Sequence, residues 1–179
     1  MPLFNLCAAA SVGHNRANLF KTIRTVAKQL LIIAHHPSAN TLRMAQALLQ
    51  GARQAEVEGV ACSLHQALQC SAEQVQQADA LILFTPENLG YISGGMKDFF
   101  DRVYYPLLEI KQGLPVAAVV RAGHDGTGSV RALQTICTGL KWRWVQAPVV
   151  CKGEWQEDFL RQCEELGAAM AYALDSGII

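Results

Sequence analysis

Thr85, Pro86, Glu87, Asn88, Gly90, Tyr91, Gly94 and Gly95 bring turn formers, hydrogen-bonding groups and one aromatic into a span where a mere connector needs only a few residues. Such a loop is suited to holding a ligand. Two other stretches share its character. His36, Pro37, Ser38, Ala39, Asn40 and Thr41 put hydroxyl and amide groups just ahead of a helical pattern, which presents free backbone N–H groups and the positive end of a helix dipole to a phosphate monoester. Ordinary capping of that helix by Ser38 or Asn40 is the plainer reading of the same residues. Arg121 leads into the third stretch, Ala122, Gly123, His124, Asp125, Gly126, Thr127 and Gly128, which is glycine-rich and polar.

The elements that must position these loops are legible from apolar patterning. Leu30 to His35, Ala80 to Phe84 and Leu114 to Arg121 are nearly continuous apolar runs, as expected of parallel strands covered on both faces. Val57 to Gln66 is more polar and predicts an edge strand, and Gln146 to Cys151 predicts a last one. Helical spacing follows four of the strands: Leu42, Ala45, Leu48, Leu49 and Ala52; Met96, Phe99, Phe100 and Val103; Val130, Leu133, Ile136 and Leu140; Trp155, Phe159, Cys163, Leu166, Met170 and Leu174. Ser71 and Gln74 have the form of a capping box opening a short helix, and Pro106 predicts that the third helix stops or bends near Tyr104 or Tyr105. Five strands alternating with five helices give an α/β fold, a three-layer sandwich around a five-stranded parallel sheet of order 2-1-3-4-5. In that order the winding reverses between the first and third strands, which gathers the loops at 36–41, 85–95 and 121–128 on one carboxyl edge.

Length and composition narrow the function. A chain of 179 residues, 51% hydrophobic and 17% charged, fits one domain with a proper core. Zero formal net charge gives no reason to expect nucleic acid, and no apolar run approaches the length needed to cross a bilayer. Residues 1–27 lack acidic groups and match nothing in the fold inferred for the remainder, so they are expected to be an extension, an added arm or an early-assigned start, with the domain proper at 28–179. Cys7, Cys62, Cys70, Cys137, Cys151 and Cys163 are scattered without a CxxC or a Cys/His cluster at metal-ligand spacing, which predicts reduced thiols, no metal and a cytoplasmic protein.

The loop from Thr85 to Gly95, paired with the continuation Lys97, Asp98, Phe99, Phe100, Asp101 and Arg102, resembles the flavin-contacting loop of flavodoxin-like NAD(P)H-dependent FMN reductases. The turn at Ser38, Asn40 and Thr41 resembles the flavodoxin phosphate loop, but lacks the glycine of the usual Thr/Ser-x-Thr-Gly-x-Thr pattern. The resemblance covers essentially Lys28 to the C-terminus. It implies FMN, with Ser38, Asn40 and Thr41 at the phosphate, Thr85, Pro86, Glu87, Asn88, Gly90 and Tyr91 lining the isoalloxazine, and Arg121, Gly123, His124, Asp125 and Gly126 closing its other side. It further implies hydride transfer from NAD(P)H as co-substrate, through the flavin, to a quinone or similar small acceptor, with no catalytic side chain. A homodimer or higher homo-oligomer is expected. A flavodoxin-type electron carrier and a flavin-free binding or regulatory protein are the alternatives on the same fold. Duller readings stand beside the site residues: Tyr91 as a packed aromatic, Glu87 as a solvated carboxylate, His124 as a turn residue, His35 and His36 as strand-end residues, and Trp142 and Trp144 as packing or subunit contacts.

Overall fold

The computed structural model describes residues 27–55 and 57–179. The expected extension, apart from Ala27, lies outside the described residues. Among the described residues seven strands and five helices follow in order: β1 (Lys28–Ala34), α1 (Ala39–Gln54), β2 (Val60–Gln66), α2 (Ala72–Gln77), β3 (Ala80–Asn88), β4 (Tyr91–Ile92), α3 (Gly94–Leu107), β5 (Pro115–Ala122), α4 (Thr127–Gly139), β6 (Arg143–Trp144), β7 (Val149–Lys152) and α5 (Asp158–Asp175).

The sheet runs β2-β1-β3-β5, with β6 and then β7 end to end along the far flank of β5. With β5 as the fourth strand and β6 plus β7 as the fifth, this is the expected 2-1-3-4-5 order. Register explains why the runs are apolar throughout. Leu31, Ile33, Leu81, Leu83, Val116 and Val120 point to one face, under α2, α3 and α4; Leu30, Ile32, Ile82, Phe84, Ala117 and Val119 point to the other, under α1 and α5. Both faces are covered, so the inner positions of β1, β3 and β5 are buried and no alternation survives in them, whereas β2 at the edge is only half-buried.

Three expectations need correction. The last strand is not continuous over Gln146 to Cys151: Trp144 pairs Val116 and Val149 pairs Val119, so two extra residues are pushed out of the ladder between them. Pro148, which has no N–H to give, lies in that interruption. The third helix runs through Pro106 to Leu107. A proline in a last turn removes a single bond, and the Leu108 N–H closes the helix on Tyr104 O at 3.0 Å. Finally, the stretch from Thr85 is no irregular loop: β3 continues to Asn88 and folds back as β4, pairing Glu87 with Ile92 and Asn88 with Tyr91.

Helices α1 and α5 pack backbone to backbone. A Cβ on Gly51 would stand 2.0 Å from Glu164 O, and one on Gly167 would stand 2.1 Å from Leu48 O. Neither contact is with a side-chain end that could swing aside. Gly167→Ala should therefore force the helices apart and cost about 1–3 kcal/mol, the usual scale of overpacking. Thermal unfolding tests this: an unchanged melting temperature would mean the two backbones are not in contact.

Candidate functional site

Each strand of the sheet's centre ends at the same edge, and the loops leaving β1, β3 and β5 stand there together. The first is built around a capping box. Ser38, extended at the helix N-cap, donates its N–H to Thr41 Oγ1 at 2.9 Å and accepts the Thr41 N–H on Oγ at 3.3 Å; Thr41 Oγ1 also donates to Ser38 O at 2.9 Å. Thr41 is buried, whereas Ser38, Ala39 and Asn40 are exposed. The first N–H groups of a helix have no acceptor inside it, and the first turn of α1 holds no acidic residue to take them. A bare positive helix end thus faces solvent. Capping and phosphate binding are not rival readings here, because the box fixes the very turn whose N–H groups stay open.

His35 belongs to the scaffold. Its ring packs against Gly95, where a Cβ would come within 2.2 Å of Nδ1, so it fills the space between the end of β1 and the start of α3. Burial, and then the neighbouring His36, holds its pKa below the ordinary imidazole value. Among the described residues no His, Cys, Asp and Glu gather as a metal site.

The second loop is fastened from beneath. Thr85, fully buried, accepts the Ser93 N–H at 3.1 Å, and the Thr85 hydroxyl lies 3.0 Å from Ser93 Oγ, which in turn accepts the Met96 N–H as the cap of α3. Pro86 is buried as well. These two residues form the floor, and what reaches the surface is Asn88, Leu89, Gly90, Tyr91 and Gly94, with Tyr91 44% exposed. Glu87 is not a solvated carboxylate. Its two oxygens accept the N–H groups of His124 and Gly126, each at 3.1 Å, and so bind the second loop to the third. A further contact joins them: Gly90 O lies where a Cβ on Gly128 would be, only 1.8 Å from that point. The hairpin and the start of α4 are one unit.

In the third loop Gly126 sits in the left-handed region with φ +75° and opens α4, and Asp125 Oδ1 accepts the Thr127 N–H at 2.8 Å. That bond is the main cause holding the Asp125 carboxyl below its ordinary pKa, with His124 a minor one. His124 and Gly123 are exposed. Arg121 behaves differently from its loop mates. Its guanidinium donates to the carbonyls of Ala122, Cys151 and Gly153, the last at 2.6 Å, and stacks 5.1 Å from the Phe159 ring centre. It braces the loop against β7 and α5 from below. The Arg43 guanidinium lies similarly 5.2 Å from the Trp155 ring centre, and Trp155 meets Phe159 edge-on at 5.8 Å. Sequence reading missed Ser93 and Leu89. The Ser-Gly-Gly-Met start of α3 was the available signal for Ser93 as a cap.

A flat, phosphate-bearing ligand fits this donor set. The helix end supplies uncommitted N–H groups, and a Cβ added to Gly90, Gly94 or Gly123 would meet nothing within 4 Å, so bare backbone is exposed on both loops. Cavities of about 210–300 Å³ beside the helices and at the flanks of the sheet are lined by other residues. The remaining aromatic pair is structural: Trp142 is buried against Phe100 at 6.3 Å, and Trp144 packs on the same cluster.

The parallel order, the reversal between β1 and β3 and the loops at the carboxyl edge define a flavodoxin-like α/β protein. Many solved structures share that fold. A flavodoxin from the domain Archaea superposes with a TM-score of 0.67 at 16% identity, covering 82% of this chain and 98% of that one. A flavodoxin, WrbA-like protein from Agrobacterium tumefaciens does so with a TM-score of 0.66 at 18% identity, covering 82% and 97%. A protein of Aquifex aeolicus (strain VF5) named flavodoxin is 33% identical over 112 residues, which are 63% of this chain and 60% of that protein's length. Residues 12–157 match the family model described as NADPH-dependent FMN reductase, and the chain belongs to that family. Among the described residues no helix is long and apolar enough to cross a membrane.

Proposed function

We propose that this chain binds FMN on the carboxyl edge of its sheet and passes electrons from NADPH or NADH to a small conjugated acceptor such as a quinone. One observation carries the reading: in a chain of the FMN reductase family, three polar loops, two of them glycine-bearing, stand together at the switch point of the sheet. The N–H groups of Ala39 and Asn40 and the Ser38 hydroxyl would take the phosphate, with Thr41 holding the turn from inside. Asn88, Gly90 and Tyr91 would border the ring on one side and Gly123, His124, Asp125 and Gly126 on the other, above Thr85 and Pro86. Glu87 fixes the spacing of the two loops, and Arg121 supports the second from beneath. FMN would supply the two-electron chemistry that the side chains gathered here do not. In net terms the nucleotide gives up a hydride, and the quinone becomes a quinol by taking that hydride and one proton from solvent.

The residues themselves bind and orient. Tyr91 is the one aromatic of the three loops, so no pair of aromatic side chains stands ready to cover a ring from both sides. That openness suits a nicotinamide, which must reach the reacting atom at roughly 3–3.5 Å. The described cysteines are free thiols, which supports a reducing, cytoplasmic setting. Stopped-flow mixing of FMN-loaded protein with NADPH or NADH should bleach the oxidised flavin in one saturable phase, and a quinone should restore it. The 33% identical relative named flavodoxin favours a second reading, a one-electron carrier. If neither nucleotide reduces the bound flavin while a reductase protein does, the carrier reading replaces the enzyme.

A further inference from the structure

Leu89 stands at the tip of the β3–β4 hairpin with φ +54°, followed by Gly90 at φ +73°. Two successive positive φ values are the signature of a type I′ turn, whose first position normally holds Asn, Asp or Gly. A leucine there strains its Cβ against the backbone. Its relative exposure of 106% means that the side chain gains nothing from the rest of the protein in return. The other described non-glycine residues at positive φ, Glu109 and Lys141, each directly follow a helix C-cap, Leu108 and Leu140, where a left-handed residue ends a helix. At Leu89 the two-residue turn between Asn88 and Tyr91 imposes the left-handed backbone, and it is the choice of leucine there that has no local reason. Nor is the hairpin loose: Thr85 with Ser93 and Glu87 with His124 and Gly126 hold its arms, and Gly90 against Gly128 holds its tip. Strain that the surroundings over-determine is a mark of functional loops. On the same rim stand Tyr91, partly exposed, and His124, whose side chain is 91% exposed.

We propose that Leu89 is the specificity residue for the electron acceptor, laying its isobutyl group on a planar, uncharged, ring-bearing acceptor of the quinone class. The proposal rests on the FMN reductase reading. An uncharged ring loses poorly solvated surface to water-free contact with a leucine, whereas a small, strongly hydrated anion gains nothing from it. The side chain stands in solvent at the tip of the hairpin, free to be covered by an incoming acceptor.

Leu89→Asn suits the type I′ turn and removes the apolar contact, so it separates strain from function. The FMN-free variant should melt higher than the parent by roughly 2–6 °C. Its FMN affinity and its rate of bleaching by NADPH should match the parent. Its KM for 1,4-naphthoquinone should rise roughly 10-fold, the scale of a lost apolar contact, while its KM for ferricyanide stays the same. Leu89→Met should retain the parental KM for the quinone. A melting temperature that does not rise would show that no strain is stored, and would overturn the proposal. So would an unchanged quinone KM, or equal losses for quinone and ferricyanide. If the parent itself takes up no flavin, or turns over no quinone, the FMN reductase reading has failed and the proposal falls with it; a parent that turns over quinone with an unaltered variant isolates the failure to Leu89.

Discussion

Glu87→Ala should lower stability by about 2–4 kcal/mol and weaken FMN binding roughly 100-fold, because one carboxylate holds two loops. Hydrogen bonds to a charged acceptor contribute about 1.5–3 kcal/mol each, and the half-exposed setting of Glu87 brings the pair to the lower part of that range. Two consequences add. The N–H groups of His124 and Gly126 lose their acceptor, and the 122–126 loop is released from the hairpin that should share the ring with it. Glu87→Gln separates these, since an amide keeps one acceptor oxygen but turns an NH₂ toward the other N–H. It should fall between alanine and the parent in both measurements. Amide hydrogen exchange gives the most direct test: the His124 and Gly126 N–H groups should exchange faster in Glu87→Ala, with little change in the strand interiors. Parental protection at both amides, together with an unchanged melting temperature, would show that the carboxylate is not the clamp.

What the amino-acid sequence reveals of this molecule is divided by range. The strands at Leu30, Ala80 and Leu114 are legible because burial on both faces leaves an unbroken apolar run, and the capping box at Ser71 because its partner Gln74 is three residues away, whereas at Ser38 only a cap, shared with Asn40 as a candidate, is legible and the box with Thr41 is not. The gathering of three loops follows from strand order alone. Contacts between distant residues are not written locally. Nothing near Glu87 announces that its acceptor oxygens meet N–H groups 37 and 39 residues on. Arg121 illustrates the cost of a doubly covered sheet: with no polar face to set the phase, its loop position suggests a ring contact, whereas its parity with Ala117 and Val119 turns it to Phe159 and α5. Leu89 was invisible for another reason. Its left-handed conformation is imposed by the pairing of Asn88 with Tyr91, and only Gly90 marks a turn in the sequence.

Removing both hydroxyls of the first turn, in Ser38→Ala with Thr41→Ala, should weaken FMN about 100-fold and riboflavin by less than about 2-fold, since only FMN carries the phosphate. The geometry assigns the two residues different parts. Thr41 is buried, accepts the Ser38 N–H and can spend its one hydrogen on Ser38 O, so it has nothing left for a ligand. Ser38 Oγ accepts the Thr41 N–H and lies 2.9 Å from Thr41 Oγ1, and its own hydrogen is free to turn outward from an exposed position. With the open N–H groups of Ala39 and Asn40 and the helix dipole, that hydrogen completes an anion site. Thr41→Ser keeps the internal acceptor and should bind FMN like the parent, while Thr41→Val keeps the bulk, loses the box and should not. The double variant also uncaps α1, at about 1–2 kcal/mol, so stability alone would move whichever ligand is meant. Titration of both flavins separates the causes. Equal weakening for FMN and riboflavin would assign the hydroxyls to folding of the helix end and would leave the phosphate to be sought elsewhere on the edge.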